Sequence, residues 1–223
     1  MQQFDIVYQH QDFIIINKPC GISVHKDQEE QGLTTILANQ LNIPQVWLVH
    51  RLDKVTSGLL ILALNAQSAT YLSQLFAQHL IQKTYIALSK HKPKKKQGLI
   101  IGDMQKARRG MWKLTKSKDN PAITRFYSVS CEPNLRLFIL HPQTGKTHQL
   151  RVAMKSLGSP ILGDLLYGKN DEEIDRTYLH AYKLKFDYFN EKIEVMAMPK
   201  IEKNGCFFTR ESVKNAINKI GHN

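Results

Sequence analysis

The chain has 223 residues, 42% of them hydrophobic, which is enough for one sizeable core in a single body or in two lobes. No run approaches the roughly 20 apolar residues that span a bilayer, the N-terminal MQQFDIVYQHQDF lacks the basic-then-apolar order of a signal peptide, and Cys20, Cys131 and Cys206 suit neither a disulfide framework nor a CxxC zinc site. The chain therefore reads as soluble and cytoplasmic, and its net charge of +12 points to a polyanion rather than a membrane surface, because no basic amphipathic helix accompanies the charge.

Residues 4–8 and 12–18 (FDIVY, DFIIINK) have the composition of two short strands, followed by Pro19-Cys20-Gly21 as a turn. A short helix is expected over 34–41. The run 59–64 is continuously apolar and of strand length, which predicts a buried strand. Leu72, Leu75, Phe76, His79 and Leu80 recur at helical spacing and predict an amphipathic helix over 67–80. Strands follow at 84–88, 122–130 and 135–140, the last two separated by Glu132-Pro133-Asn134. Leu150, Ala153, Met154 and Leu157 mark a helix over 147–157, with Thr147 as its N-cap and Gly158 and Pro160 as its stop. Strands at 178–187 and 192–198 close the pattern. Strands outnumber helices, which predicts an α+β domain with a mixed, largely antiparallel central sheet flanked by helices and loops. The whole chain, 1–223, reads as one domain.

The charge is concentrated. Between Lys83 and Lys118 stand twelve Lys or Arg against the single acid Asp103, while the remainder holds 19 basic against 18 acidic residues. The tract at about 90–118 is expected as a basic excursion from the sheet. The aromatics Tyr85 and Trp112 beside this field favour nucleic acid as the polyanion.

Several motifs fail on inspection. GKT at 145–147 resembles the end of a phosphate-binding loop, but Leu140 stands where that loop needs Gly. Val55 stands where a nucleophile elbow needs its first Gly, and also where an aspartyl phosphotransferase needs a second carboxylate. No HExxH or close His pair offers a metal site. What remains is Asp53 in HRLDKVTSGLLILAL (50–64), crowded by His50 and Arg51 and set just before the buried strand. Its bland reading is a turn residue. The reading favoured by its neighbours is a carboxylate at a rim, held for chemistry. Arg151, at the end of HPQTGKTHQLR, adjoins the apolar face of its helix and so needs a carboxylate, for which Asp53 is a candidate.

HRLDKVTSGLLILA resembles the signature of the RluA-type pseudouridine synthases, in which the Asp is catalytic. NKPCGISVH (17–25), QKTYIAL (82–88), HPQTGKTHQLRVAM…GSPILGDLLYG (141–168) and RTYLHAYKLKF (176–186) match the same family in order. Together they cover most of residues 12–187. Lys146 stands where Arg is usual, Ala153 where His is frequent and Asn65 where Lys often follows the apolar run; none is a presumed catalytic position. The chain also resembles the form of the family without an N-terminal S4 RNA-binding domain.

The resemblance implies an isomerase that converts uridine in ribosomal or transfer RNA to pseudouridine without metal, nucleotide or redox cofactor, acting as a monomer. It implies Asp53 as catalytic residue, either as nucleophile at C1′ or as base on the sugar. Arg151 would hold Asp53 ionised, Tyr85 would stack on the uracil, Leu150 would form an apolar wall, and Arg51 would fill the gap left by the extruded base. Lys94, Lys95, Lys96, Arg108 and Arg109 would grip phosphates without reading sequence. A reading from another class is an RNA-binding or RNA-folding protein with little or no catalytic activity.

Overall fold

The computed structural model describes residues 3–24, 32–168, 174–200 and 206–220; His25, the last residue of the NKPCGISVH stretch, lies outside them. In chain order the elements are β1 (Asp5–Gln9), β2 (Phe13–Lys18), α1 (Leu33–Leu41), β3 (Trp47–Leu48), β4 (Ser57–Ala63), α2 (Ala66–Ala77), β5 (Gln82–Ser89), β6 (Gln97–Gly102), β7 (Met104–Lys106), a 3-10 turn (Arg108–Gly110), β8 (Trp112–Leu114), β9 (Ala122–Glu132), β10 (Leu135–Pro142), α3 (Gln149–Ser156), β11 (Leu179–Tyr188), β12 (Glu191–Met196), a second 3-10 turn (Phe207–Thr209) and α4 (Glu211–Asn218). The pairs β1–β2, β2–β4, β3–β4, β5–β10, β9–β10, β6–β9, β7–β8 and β11–β12 are antiparallel and β4–β11 is parallel, so the architecture is the expected α+β, mixed and largely antiparallel. The chain divides into two compact units, one of residues up to Lys83 with His180–Met198, the other of Thr84–Leu179 with the residues from Pro199 onward.

The first unit is built on β2 and β4, paired from Phe13 opposite Ala63 to Lys18 opposite Gly58, and every residue of both strands is buried. Their unbroken apolar runs suit burial on both faces, as the composition predicts. The second edge of β4 is shared: β11 pairs with its start, His180 opposite Ser57 and Ala181 opposite Gly58, while β3 pairs with its end. Gly58 is required here, because its φ is +112° and an added Cβ would stand 2.3 Å from the carbonyl oxygen of Ala181. Asn65, a departure from the family pattern, caps α2, its side-chain oxygen accepting the Ser68 N–H at 2.8 Å.

The α2 helix stops at Ala77, short of the expected 80. His79 adopts a left-handed conformation, its N–H returns to the Phe76 carbonyl and the Leu80 N–H to the Leu75 carbonyl, which is a Schellman closure. Leu80 is thereby turned out, 55% exposed, rather than placed on the apolar face.

In the second unit the strand order is β5-β10-β9-β6. The β9–β10 hairpin turns through Asn134 at φ 57°, as Glu132-Pro133-Asn134 foretells. The basic tract is only partly an excursion: β6 extends the sheet by pairing Gln97–Gly102 against β9, and only β7 and β8 stand apart as a two-stranded ribbon. The short apolar core of β6, Leu99 to Ile101 between two glycines, is enough because β9 supplies the ladder.

The N-cap of α3 is His148, left-handed at φ 56°, and not Thr147, which is exposed. Gln149 organises the entry: its side-chain oxygen accepts from Thr144 Oγ1 at 2.7 Å and Lys146 N–H at 2.9 Å, and its amide nitrogen donates to the Ile123 carbonyl and to Thr124 Oγ1. A buried side chain that satisfies both its oxygen and its nitrogen fixes the entry to the helix, which has no side-chain cap. The helix ends on Gly158 at φ 76° in a second Schellman closure, as expected. The α4 helix, which the sequence pattern does not reveal, packs on β9 and β10 and buries Val213 and Ile217.

Candidate functional site

In the first unit Arg51 and Asp53 share a short loop between β3 and β4. The Thr56 N–H closes the turn on the Asp53 carbonyl at 2.9 Å, and β4 begins one residue later. Asp53 is half-buried while Arg51 is exposed, the rim placement that the buried strand implied.

The loop is braced from residues 18–22. Lys18, fully buried, donates from Nζ to the carbonyls of Pro19 (2.9 Å), Ile22 (2.7 Å) and Lys54 (3.4 Å). Three carbonyls around an ammonium lower the several kcal/mol that burying a charge otherwise costs. The Gly21 N–H also reaches the Lys54 carbonyl at 2.9 Å, and Cys20 Sγ lies 3.1 Å from the Val55 carbonyl. Below the loop, Ser57 Oγ and His180 Nδ1 are 2.8 Å apart and His180 Nε2 lies 2.8 Å from the Ala197 carbonyl. A carbonyl only accepts, so Nε2 donates, and a neutral ring then accepts the Ser57 hydroxyl at Nδ1. Lys18 and His180 stand in the family-like stretches, but nothing in their spacing announces a buried cation or a buried imidazole.

His50 does not crowd Asp53 with a proton. Its Nε2 accepts the Ile61 N–H of β4 at 2.9 Å, and its ring stacks on Phe76 at 4.1 Å. Burial, with the nearby Lys83 ammonium adding to it, pulls its pKa down to about 3, so the ring is neutral and serves the strand. Burial lowers the pKa of Lys83 as well.

In the second unit Tyr85 stands on β5 opposite Leu140, half-buried, and Leu150 and Arg151 lie in the first turn of α3, both buried. Arg151 is paired with a carboxylate that the sequence does not single out, Asp164. Asp164 receives Arg151 Nε at 2.7 Å and the terminal nitrogen Nη2 at 2.9 Å, a bidentate fork, and its Oδ1 also accepts the N–H groups of Leu166 and Tyr167. Arg151 is 6% and Asp164 1% exposed. The Tyr167 ring lies against the guanidinium at 5.0 Å, and its hydroxyl accepts the Trp112 N–H at 2.9 Å and pairs with His148 Nδ1 at 2.8 Å. The signal for Asp164 is the GDLLYG stretch, whose tight turn presents one carboxylate to a helix residue 13 positions earlier.

Lys94, Lys95, Lys96, Arg108 and Arg109 are all exposed. Backbone bonds anchor the tract beneath them: Lys94 N–H to the Leu157 carbonyl, and Ser128 N–H and Oγ to the Lys96 carbonyl. Arg108 and Arg109 cap the β7–β8 ribbon, where Lys106 also lies over the Trp112 ring at 5.9 Å. Among the described residues no three His, Cys, Asp or Glu side chains gather to hold a metal ion, and no helix is long and apolar enough to cross a membrane.

A half-buried aspartate on a braced loop, with exposed cations on a ribbon elsewhere in the chain, is the equipment of an enzyme that acts on a polyanion. Sequence comparison identifies the class of that polyanion. The RNA pseudouridylate synthase family profile matches residues 12–156. An RNA pseudouridine synthase of Haemophilus influenzae, itself named as uncharacterized, is 73% identical over 96% of this chain and 95% of its own length. Ribosomal large subunit pseudouridine synthase D of Borreliella burgdorferi is 35% identical over 82% of this chain, and ribosomal large subunit pseudouridine synthase C of Rickettsia bellii 37% identical over 79%. The chain spans only 60% and 61% of the length of these last two. Among solved structures, human RNA pseudouridylate synthase domain containing 1 superposes with a TM-score of 0.74 at 27% identity, covering 87% of this chain and 83% of that one. The chain belongs to the RNA pseudouridylate synthase family, and the RluA type expected from its motifs agrees with these relatives. It is an RNA-modifying isomerase that converts uridine to pseudouridine.

Proposed function

We propose that Asp53 is the reacting carboxylate, that the substrate is a uridine in structured ribosomal or transfer RNA, and that the chain works as a single cytoplasmic monomer and one catalytic domain. Asp53 acts on the ribose, at C1′ or as a base on the sugar, while the N1–C1′ bond breaks. The uracil turns, C5 bonds to C1′, the proton leaves C5 and N1 takes one up, so reactant and product have the same composition. Tyr85 stacks on the uracil, Leu150 walls the pocket, Arg151 supplies the cation of the site, and Arg51 fills the gap in the RNA stack. Lys94, Lys95, Lys96, Arg108 and Arg109 bind phosphates.

The observation that carries this reading is the bracing of the loop. The carbonyls of Asp53 and Lys54 are pinned by Thr56, Gly21 and the buried Lys18 ammonium, so the half-buried carboxylate keeps its place before substrate arrives. A turn residue without a task does not need a buried cation beneath it.

Tritium release from ribosomal RNA and tRNA transcripts labelled at uracil C5 tests the proposal. Wild type releases tritium from at least one pool, and Asp53→Asn binds that RNA equally well on filters but releases none. Turnover by Asp53→Asn within tenfold of wild type refutes the assignment of Asp53. Binding without release by the wild type from either pool returns the chain to the RNA-folding reading.

A further inference from the structure

Three features of the second unit take no part in the chemistry above: a hollow of about 590 Å3 beside Trp112 and Lys146, a second of about 400 Å3 between α4 and β9, and the junction at Tyr167. The junction is the one that touches a residue of the proposed site, Arg151. Tyr167 touches both ends of a chain of contacts. Its hydroxyl accepts the backbone N–H of Trp112, which opens β8 of the basic ribbon, at 2.9 Å. Its ring lies 5.0 Å from the Arg151 guanidinium. Its own N–H donates at 3.2 Å to Oδ1 of Asp164, the carboxylate that forks Arg151. The residue is 4% exposed, and β8 packs against α3. One side chain therefore has its oxygen in the ribbon, its ring on the arginine and its amide on the arginine's carboxylate.

A tyrosine used only to fill space needs none of the first contact, since phenylalanine fills the same volume. Through the hydroxyl and the ring, the ribbon backbone is tied to a buried, charge-paired group. We propose that Tyr167 is a positioning residue that couples RNA held on the β7–β8 ribbon to the orientation of Arg151, so that phosphate binding at Arg108 and Arg109 is used to set the active-site cation. This rests on the reading of Arg151 as that cation. A shift of the ribbon on binding a phosphodiester backbone moves Trp112, and through the 2.9 Å bond moves the phenol ring that packs on the guanidinium. Energy of non-specific binding then appears in turnover rather than in affinity, which is where remote binding accelerates a reaction.

Tyr167→Phe keeps the ring and removes the oxygen, and with it the bond from Trp112 and the contact with His148. With the RNA pool that supports tritium release, the expected result is a fall of about tenfold in turnover at saturating RNA, with filter-binding affinity unchanged; one net hydrogen bond corresponds to a change of that size. Adding Arg108→Gln and Arg109→Gln weakens binding but costs no further turnover on the Tyr167→Phe background, whereas on the wild-type background it costs both. A second readout does not need catalysis. Poly(A), which holds no uridine, is titrated into 15N-labelled protein, and the Arg151 Nε–H cross-peak, identified by its loss in Arg151→Lys, is followed. It moves in the wild type and stays in place in Tyr167→Phe, although poly(A) still binds. Equal movement in both proteins, full turnover by Tyr167→Phe, or loss of affinity and turnover in the same proportion overturns the coupling. Failure of the wild type to release tritium bears instead on the assignment of function, and leaves the titration readable.

Discussion

Asp164→Asn isolates what the Arg151 pair contributes. The substitution keeps the shape of the side chain and removes its charge, within a site where the two residues are 6% and 1% exposed. Four donors converge on the carboxylate: Arg151 Nε and Nη2, and the N–H groups of Leu166 and Tyr167. Asparagine offers one oxygen. If that oxygen stays with Nη2 and the two backbone groups, its NH2 faces Nε where 2.7 Å now separates donor from acceptor. If the amide flips, three donors lose their acceptor. Either way a buried guanidinium loses the charge of Asp164, which costs about 3–5 kcal/mol when one partner of such a pair is removed. Against a total stability of roughly 5–15 kcal/mol this is a large fraction. Urea unfolding followed by circular dichroism and tryptophan fluorescence, with coincident transitions, measures it. Arg151→Met combined with Asp164→Asn removes the charge and leaves an oxygen for Leu166 and Tyr167, so that double variant recovers to within about 2 kcal/mol of wild type. A loss under about 1 kcal/mol in the single variant, or additive losses in the double, refutes a desolvated ion pair.

Three further outcomes follow from the same geometry. His50 has a folded pKa of about 3 against an ordinary 6.5; below pH 6.5 the unfolded chain takes up a proton that the folded chain refuses, so the contribution is present above pH 6.5 and is lost as pH falls towards 3. Between pH 6 and 4 the stability of wild type should drop more steeply than that of His50→Gln, by up to about 1.4 kcal/mol per pH unit, and parallel curves would exclude a neutral, strand-bound imidazole. Gly58→Ala drives a Cβ to within 2.3 Å of the Ala181 carbonyl at a positive φ, so it should destabilise by more than about 3 kcal/mol and increase hydrogen exchange at Ala181; a loss near the 1 kcal/mol of an ordinary strand substitution would show that β4 and β11 separate easily. Arg108→Gln with Arg109→Gln should lower the slope of log affinity against log salt by about 0.7 for each phosphate no longer neutralised, measured by filter binding, and an unchanged slope would remove the ribbon from the RNA interface.

The core strands are legible because β2 and β4 are buried on both faces, and a continuous run such as FIII or LLILAL has few other uses. The end of α2 is not, because the apolar spacing continues through His79 and Leu80 while the backbone has already turned left-handed at His79. Periodicity sees side chains and not φ. The entry to α3 misleads for a related reason: Thr147 has the right chemistry for a cap, but Gln149 finds partners both in its own loop and in β9, 25 or 26 residues away in sequence. Strand β6 hides in a tract whose lysines read as solvated coil, since only the long-range ladder to β9 makes QGLIIG a strand. The loop of Asp53 is placed correctly by the buried run behind it. Its brace, Lys18, leaves no such trace, because a lysine beside Pro19 gives no sign of being desolvated.

Arg151 shows how far a chemical demand in sequence can be carried. A cation on the apolar face of a helix needs a carboxylate, and that inference is sound; one carboxylate that meets the need, which the sequence does not single out, stands 13 residues on at Asp164. Asp164 meets the demand from within the same unit, through a turn closed by the Asp164 N–H on the Ile161 carbonyl and the Gly168 N–H on the Asp164 carbonyl. The consequence is mechanistic. A guanidinium forked by Asp164 is held at one edge before substrate arrives, so in the proposed site only the small shift passed on by Tyr167 would remain to complete its orientation. It also makes the two acidic residues separable by experiment. Asp53→Asn should abolish turnover while leaving unfolding free energy within about 1 kcal/mol of wild type, because the loop is held by backbone bonds and Lys18. Asp164→Asn should lower both. If Asp53→Asn destabilises the protein as much as Asp164→Asn does, the aspartate is holding the structure and the chemistry belongs to another group.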